Sequence, residues 1–170
     1  MALQEIEKAK SDYKKAIDVE PSNEVYLGNY GNICLSLKKF EKSIEVYNKA
    51  ISLDPSNDMF FNNKAFAQIK LKQFDAAIES YNQALSLNPS NHIYLKNRAN
   101  LYMEKKMIGR AIEDIKKAIE IEERHEYYFL KGKWEYLSGR IEPAMLSFSK
   151  AHKLEPSKKS YYDYYTTLKT

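Results

Sequence analysis

The amino-acid sequence predicts an all-α solenoid of about ten helices, arranged as antiparallel hairpins stacked one on the next. Three observations carry that expectation. Pro21, Pro55 and Pro89 stand 34 residues apart; Glu123 fills the fourth position, and Pro156 recurs one residue short of register. Ahead of each position the same side-chain sizes return: small twelve residues before (Ala9, Ser43, Ala77, Ala111, Ala144), large eight before (Tyr13, Tyr47, Tyr81, Ile115, Phe148) and alanine five before (Ala16, Ala50, Ala84, Ala118, Ala151). A further small column, Gly31, Ala65, Ala99 and Gly132, falls earlier in each unit.

Taken in order, residues 2–19 read as the second helix of a hairpin with no partner before it. Full hairpins follow at 24–53, 58–87, 92–121 and 125–154, within repeat units 24–57, 58–91, 92–124 and 125–158. Residues 159–170 read as a capping or partial-repeat helix, rich in tyrosine, and the whole of 1–170 as a single domain. The unpaired opening helix suggests a segment of a longer array, since a terminal repeat more often has a polar outer face. In each second helix, apolar residues such as Phe40, Ile44, Tyr47 and Ile51 recur at spacings of three and four, giving one buried stripe. Small residues let neighbouring helices approach, and the aromatic fills the space beside them. Proline cannot extend a helix and restricts the residue before it, so each second helix stops there. Ser56-Asn57 and Ser90-Asn91 then offer side-chain oxygens to cap the next helix. Where Glu123 replaces proline and a residue is missing near Glu122–His125, the junction is expected to turn differently. Pro143 falls in a first helical turn, where proline is tolerated.

Composition excludes several other classes. The 170 residues are enough for one domain with a core, and 44% hydrophobic content argues against disorder. No run of about 18 apolar residues exists to span a membrane, and the N-terminus lacks the apolar stretch of a secretory signal. A single cysteine, Cys34, allows no internal disulfide and fits a reducing compartment, so the cytoplasm is expected, with the nucleus as alternative. Net charge is +4 and spread over a mixed surface, unlike the concentrated basic block of a nucleic-acid binder. Lys38, Lys39, Lys72, Lys105, Lys106 and Arg140 collect at the turns within hairpins, where cations complement the helix dipole and keep one edge soluble.

A period of 34 with this small, aromatic, small and proline pattern closely resembles the tetratricopeptide-repeat (TPR) family. The segment YLGNYGNICLSLKKFEKSIEVYNKAISLDPSN is nearly a consensus unit, and the resemblance runs the length of the chain. It implies a right-handed superhelix whose first helices line a concave groove, with another protein or a peptide as ligand and no cofactor.

One column of the implied groove stands out: Asn29, Asn63 and Asn97, with Leu130 in the fourth unit. Asparagine is a poor helix-interior residue, so its recurrence calls for a reason. Its amide offers an acceptor and two donors, matching a peptide backbone unit. The column is similar to the asparagine ladder of the repeat domain of O-linked N-acetylglucosamine transferase, which holds peptide main chain. Asn32, Asn62, Lys96, Asn100 and Lys133 lie on the same helices and would add side-chain selectivity. The carboxylate clamp by which other members hold chaperone C-termini needs cations that are absent: its register gives Gly28 and Asn32, then Asn63, then Ile93 and Asn97. An uncompensated carboxylate could not be buried there.

The leading expectation is a non-catalytic scaffold that binds a partner segment. Its alternatives are the substrate-recruiting region of a larger enzyme, such as a glycosyltransferase, and a self-association module joining chains through the terminal helices. Cys34 sits between Ile33 and Leu35 and reads as a packing residue. His92, His125 and His152 fall on different helices without Cys or carboxylate at ligand spacing, so no metal site is expected. No phosphate-binding glycine motif occurs. Trp134, with Tyr127, Tyr128, Phe129 and Tyr136, has the spacing of inter-repeat core rather than of a base-stacking platform.

Overall fold

The computed structural model describes residues 2–168, so residues 169 and 170 of the last expected helix lie outside it. Ten helices occupy the described residues: α1 (Ala2–Val19), α2 (Glu24–Ser36), α3 (Phe40–Leu53), α4 (Asp58–Lys70), α5 (Phe74–Leu87), α6 (His92–Glu104), α7 (Ile108–Ile121), α8 (His125–Leu137), α9 (Ile141–Leu154) and α10 (Lys159–Thr167). The all-α solenoid is therefore what the chain forms. It divides into two compact units, 1–89 and 90–170. None of the described helices is long and apolar enough to cross a membrane.

In the first unit, α1 packs on α2, α2 and α3 form a hairpin, and α3 leads onto the α4–α5 hairpin. The hairpin closes because Gly31 admits the Tyr47 ring: a Cβ on Gly31 would lie 2.8 Å from two of its carbons. Tyr47 is accordingly fully buried, with Val46, Ala50, Leu27 and Phe60 completing this core. Ser43 adds a bond from Oγ to the Gly31 carbonyl at 3.2 Å. Ala65, Ala77, Tyr81 and Ala84 repeat the arrangement in α4 and α5, all buried.

In the second unit, α6 pairs with α7 and α8 with α9, while α10 packs on α9. Gly132 is to Phe148 what Gly31 is to Tyr47, with a Cβ meeting the ring at 2.8 Å. The tyrosines of α10 are partly spent inside this unit. Tyr161 and Tyr164 lie 4.6 and 5.4 Å from Phe129, ring centre to ring centre, and Tyr164 stacks on Phe148 at 5.1 Å. Trp134 and Tyr127 are buried, as inter-helix core should be, whereas Tyr136 is half-exposed.

Three of the hairpins also bury polar groups that the repeat columns did not announce. Arg98 on α6 grips Asp114 on α7 through two bonds of 2.7 and 2.8 Å. Burial alone would lower the guanidinium, but Asp114's bonds and charge outweigh it and hold it above its usual range. In the α8–α9 hairpin, Lys131 meets Glu135 and Ser147 at 2.8 Å, and Ser147 closes the triangle onto Glu135 at 2.7 Å. In α4–α5 the pair is neutral, Ser80 to Gln68 at 2.8 Å, and burial pushes the Lys64 amine below its usual range.

The turns within hairpins follow one design. Lys38 turns the chain with φ of 57°, and Lys39 donates its N–H to the Cys34 carbonyl at 2.8 Å, the six-to-one bond of a Schellman motif. Lys72 and Lys106 repeat it at φ 59°, and Gly139 at φ 77°. The basic residues expected at this edge thus include three held in the left-handed region, where glycine is unstrained.

Between hairpins the expected caps form unevenly. Asn23 Oδ1 accepts from Tyr26 N at 3.1 Å, and Asn91 Oδ1 from Ile93 N and Tyr94 N at 3.1 and 3.2 Å. Asn57 makes no such bond. There Asp54 accepts from Ser56 N and Oγ at 3.0 and 2.6 Å, bonds that hold its carboxyl below the usual carboxylate range. The irregular junction is short, as expected: residues 122–124 connect α7 and α8, where 54–57 and 88–91 connect the earlier pairs. Glu123, in the place of proline, meets Lys150 at 2.9 Å and accepts from Tyr128 Oη at 2.9 Å.

Two stability predictions follow from these contacts. A left-handed residue with a Cβ costs roughly 1–2 kcal/mol, partly offset by the extra unfolded-state freedom of glycine. Lys72→Gly is expected to stabilise by about 0.5 kcal/mol and Gly139→Ala to destabilise by about 1 kcal/mol, read as urea midpoints at unchanged slope. Asp114→Ala removes the buried carboxylate that Arg98 grips and is expected to cost about 3 kcal/mol, whereas Arg98→Met/Asp114→Leu should recover most of it in the same titration.

Candidate functional site

The first helices of the hairpins, α2 and α4 in the first unit and α6 and α8 in the second, cannot bury every face against their own partners, and the residues left over in each unit are the candidates for a functional surface. On α2, Gly28 removes the side chain facing the next hairpin, and a Cβ there would lie 2.5 Å from Cε1 of Phe60 on α4. The equivalent positions carry Asn62, Lys96 and Phe129, so this close approach of a ring to backbone belongs to the first unit. A pocket of about 170 Å³ opens between α2 and α4. Val25, Gly28, Met59 and Phe60 form its apolar part, and Asn29, Asn32, Asn57 and Asn63 its polar part.

Of the residues expected from sequence, Asn29, Asn32 and Asn63 meet at this pocket, and Asn62 joins them through a hydrogen-bonded chain. Tyr47 Oη donates to Asn32 Oδ1 at 2.6 Å, Asn63 Nδ2 donates to the same oxygen at 2.9 Å, and Asn62 Nδ2 donates to Asn63 Oδ1 at 2.8 Å. Burial pushes the Tyr47 phenol well above its ordinary range, so it stays a neutral donor. In the next hairpin Phe66 stands where Asn32 does, and burial pushes Tyr81 up to about 12. Asn29 makes no side-chain hydrogen bond among the described residues, and Asn57 Oδ1 and Asn62 Oδ1 are buried without a partner there.

The remaining expected residues sit on the second unit. Asn97, on α6, is half-buried with no side-chain hydrogen bond among the described residues; Asn100 is exposed and Lys96 half-buried. Lys133 on α8 lies over the Phe129 ring at 5.8 Å, a cation–π contact that fixes its position. The asparagines therefore differ in state: Asn63 is committed on both sides of its amide, while Asn29 and Asn97 keep full capacity.

Sequence reasoning missed an apolar row on the same helices. Val25, Met59 and Ile93 are 56%, 57% and 47% exposed, large side chains left in solvent. Each stands four residues before an asparagine of the column, one helical turn away, so the 34-residue spacing carried the signal. It also missed Asn57, whose resemblance to the capping Asn23 and Asn91 hides its spare oxygen.

Groups that could do chemistry are engaged elsewhere. Cys34 is buried, and burial pushes its thiol up, away from the thiolate that a nucleophile requires. His92 bonds Tyr127 Oη and Glu122 at 2.6 Å each, and His125 bonds Tyr161 Oη at 2.9 Å. Among the described residues no three His, Cys, Asp or Glu side chains are grouped to hold a metal.

Antiparallel hairpins packed one on the next within each unit, with first helices partly unpaired, define a helical-repeat protein. Tetratricopeptide-repeat models match residues 60–91, and residues 1–23 with 97–125; a model described as TPR repeat matches 31–72. Together they cover well over half of the sequence, and the chain belongs to the tetratricopeptide-repeat family. Among solved structures it is similar to MamA, at 23% identity over 94% of both chains with a TM-score of 0.87. It is also similar to YrrB, described as a TPR protein with an unusual peptide-binding site, at 18% identity over 92% of this chain and 81% of that one, TM-score 0.78. The first TPR of Spaghetti (RPAP3), bound to the HSP90 peptide SRMEEVD, aligns at 25% identity over 68% of this chain and 93% of that one, TM-score 0.65. No curated protein sequence matches the chain.

The bond between Tyr47 and Asn32 links the core to this face, and removing one oxygen atom breaks it. Tyr47→Phe is expected to lower stability by about 1 kcal/mol and to shift the side-chain amide resonances of Asn32 and Asn63 in a ¹⁵N spectrum, leaving those of Asn97 in place.

Proposed function

We propose that this chain is a non-catalytic protein-interaction scaffold whose first helices take an extended segment of a partner protein, held chiefly through its main chain. The observation that carries the reading is the repeated pairing, one helical turn apart on each first helix, of an asparagine with an exposed apolar side chain: Asn29 beside Val25, Asn63 beside Met59 and Asn97 beside Ile93, with Asn29 and Asn97 keeping their full hydrogen-bonding capacity. An amide beside an apolar surface matches what an extended peptide presents, alternating backbone polar groups and side chains. Asn32, Asn62, Lys96, Asn100 and Lys133 supply the side-chain contacts around them. YrrB and Spaghetti, both similar in fold, are peptide-binding by their descriptions, which supports the same use here.

The ligand differs in charge from an acidic chaperone tail. Gly28 and Ile93 stand where the clamp would place cations, so a terminal carboxylate has no counter-ion. The cytoplasm is the compartment that fits a lone, buried, reduced cysteine.

Affinity capture from a cell extract, followed by purification of the captured partner, supplies the ligand for a calorimetric test. Asn29→Ala/Asn63→Ala/Asn97→Ala is expected to weaken binding at least tenfold, with Asn29→Ala alone weakening it more than Asn63→Ala, because Asn63 already spends its amide locally. Unchanged affinity in the triple variant would sink the proposal.

A further inference from the structure

We infer that the pocket between α2 and α4 is the anchor subsite of this surface: it takes one uncharged apolar side chain of an extended partner segment, of leucine to phenylalanine size, while Asn57 Oδ1 accepts a main-chain N–H next to it. This rests on the peptide-binding reading and gives it a specificity.

Size is the first argument. The pocket holds about 170 Å³, and a dry cavity of roughly 150 Å³ accommodates a guest as large as benzene. One side chain fits, and a nucleotide or a folded element does not.

Charge is the second. Every residue lining the pocket is uncharged. An ionised side chain entering it would lose water and find no counter-ion, which excludes Asp, Glu, Lys and Arg as the anchor. Gly28 and Phe60 offer an apolar wall, and Val25 and Met59, more than half exposed, close over a guest and leave solvent with it.

The orphaned oxygen is the third. Asn57 lines the pocket, and its Oδ1 is buried with no hydrogen-bond partner among the described residues. Its counterparts Asn23 and Asn91 spend the same atom on helix N–H groups. A buried acceptor left unsatisfied is costly, and a ligand N–H repays that cost only when it is seated. Asn29, also on the pocket and free of internal bonds, is placed to pair with the following peptide unit.

The test uses the full chain and a phage-displayed library of random twelve-residue peptides, with an enriched peptide then synthesised and measured by fluorescence anisotropy. Enriched peptides should share an apolar residue whose replacement by Asp weakens binding at least tenfold. Met59→Lys, at an exposed position, should cause a similar loss with an unchanged melting curve. Methylating individual backbone nitrogens of the peptide should find one next to the anchor whose loss matches that of Asn57→Ala, and the two losses should not add. If Asn57→Ala fails to fold, Asn57→Ser, which shortens the side chain past the amide oxygen and places a hydroxyl suited to the N-cap position, serves instead. Peptides that bind but are indifferent to Met59→Lys and to the anchor change would overturn the subsite and leave the wider reading standing. Additive losses in the cycle would overturn the Asn57 bond. If no peptide enriches above an unrelated folded protein, both readings fall.

Discussion

The close approach of the two helices in each hairpin is the constraint on which the rest depends. Gly31 and Gly132 let an aromatic ring lie directly on backbone, since a Cβ would stand 2.8 Å from Tyr47 or Phe148. Ala65 and Ala99 hold the same column as these glycines, Tyr81 and Ile115 the same column as the rings, and all four are buried. The ring, wedged at that depth, fixes the separation and rotation of the pair, and a buried alanine such as Ala50 or Ala84 lets the neighbouring helix close in. Once each hairpin is set, its first helix has one face left for solvent or a ligand. Side-chain size at a few positions therefore decides geometry far from those positions.

That constraint is why the fold was legible. Size columns repeat in sequence because packing repeats in space, and the helix bounds lie where Pro55 and Pro89 and the small residues indicate. The short junction at 122–124 was readable as a missing residue. What did not show was chemistry without a fixed residue type. The buried polar partners are Gln68 and Ser80 in one hairpin, Arg98 and Asp114 in the next, Lys131, Glu135 and Ser147 in the last. No column of identical letters marks them, because any pair that satisfies itself serves. The left-handed turns at Lys38, Lys72 and Lys106 were similarly hidden: lysine gives no hint of positive φ, and only Gly139 betrays the position.

The candidate face was legible in part for a related reason. Asn29, Asn63 and Asn97 recur as identical letters, so the column could be found. Val25, Met59 and Ile93 share only their apolar character, and in sequence they merge with core residues on the same helices. Nor could sequence say which amides are spent. Asn63 is drawn into the chain running from Tyr47 through Asn32, whereas Asn29, in an equivalent letter, is left whole. The difference depends on whether an asparagine lies one helix earlier at the height of Asn32, and that is a three-dimensional fact.

The division between charged and neutral polar groups then has a physical reason. The most buried charges of the hairpins, Asp114 and Glu135, are each closed by a cation within 2.8 Å, because a buried ion left unpaired costs several kcal/mol. A surface that must wait for its ligand cannot be built that way, since its groups stand unpaired whenever the ligand is away. An unpaired neutral amide costs about 1–3 kcal/mol when buried and far less when partly wet. Asparagine can therefore be left idle at Asn29 and Asn97, and at the Oδ1 of Asn57, without unfolding the helices that carry it. It still offers a donor and an acceptor to any main chain that arrives. The same neutrality that makes the face tolerable when empty makes it selective when filled, because a charged anchor gains nothing there to offset the water it loses.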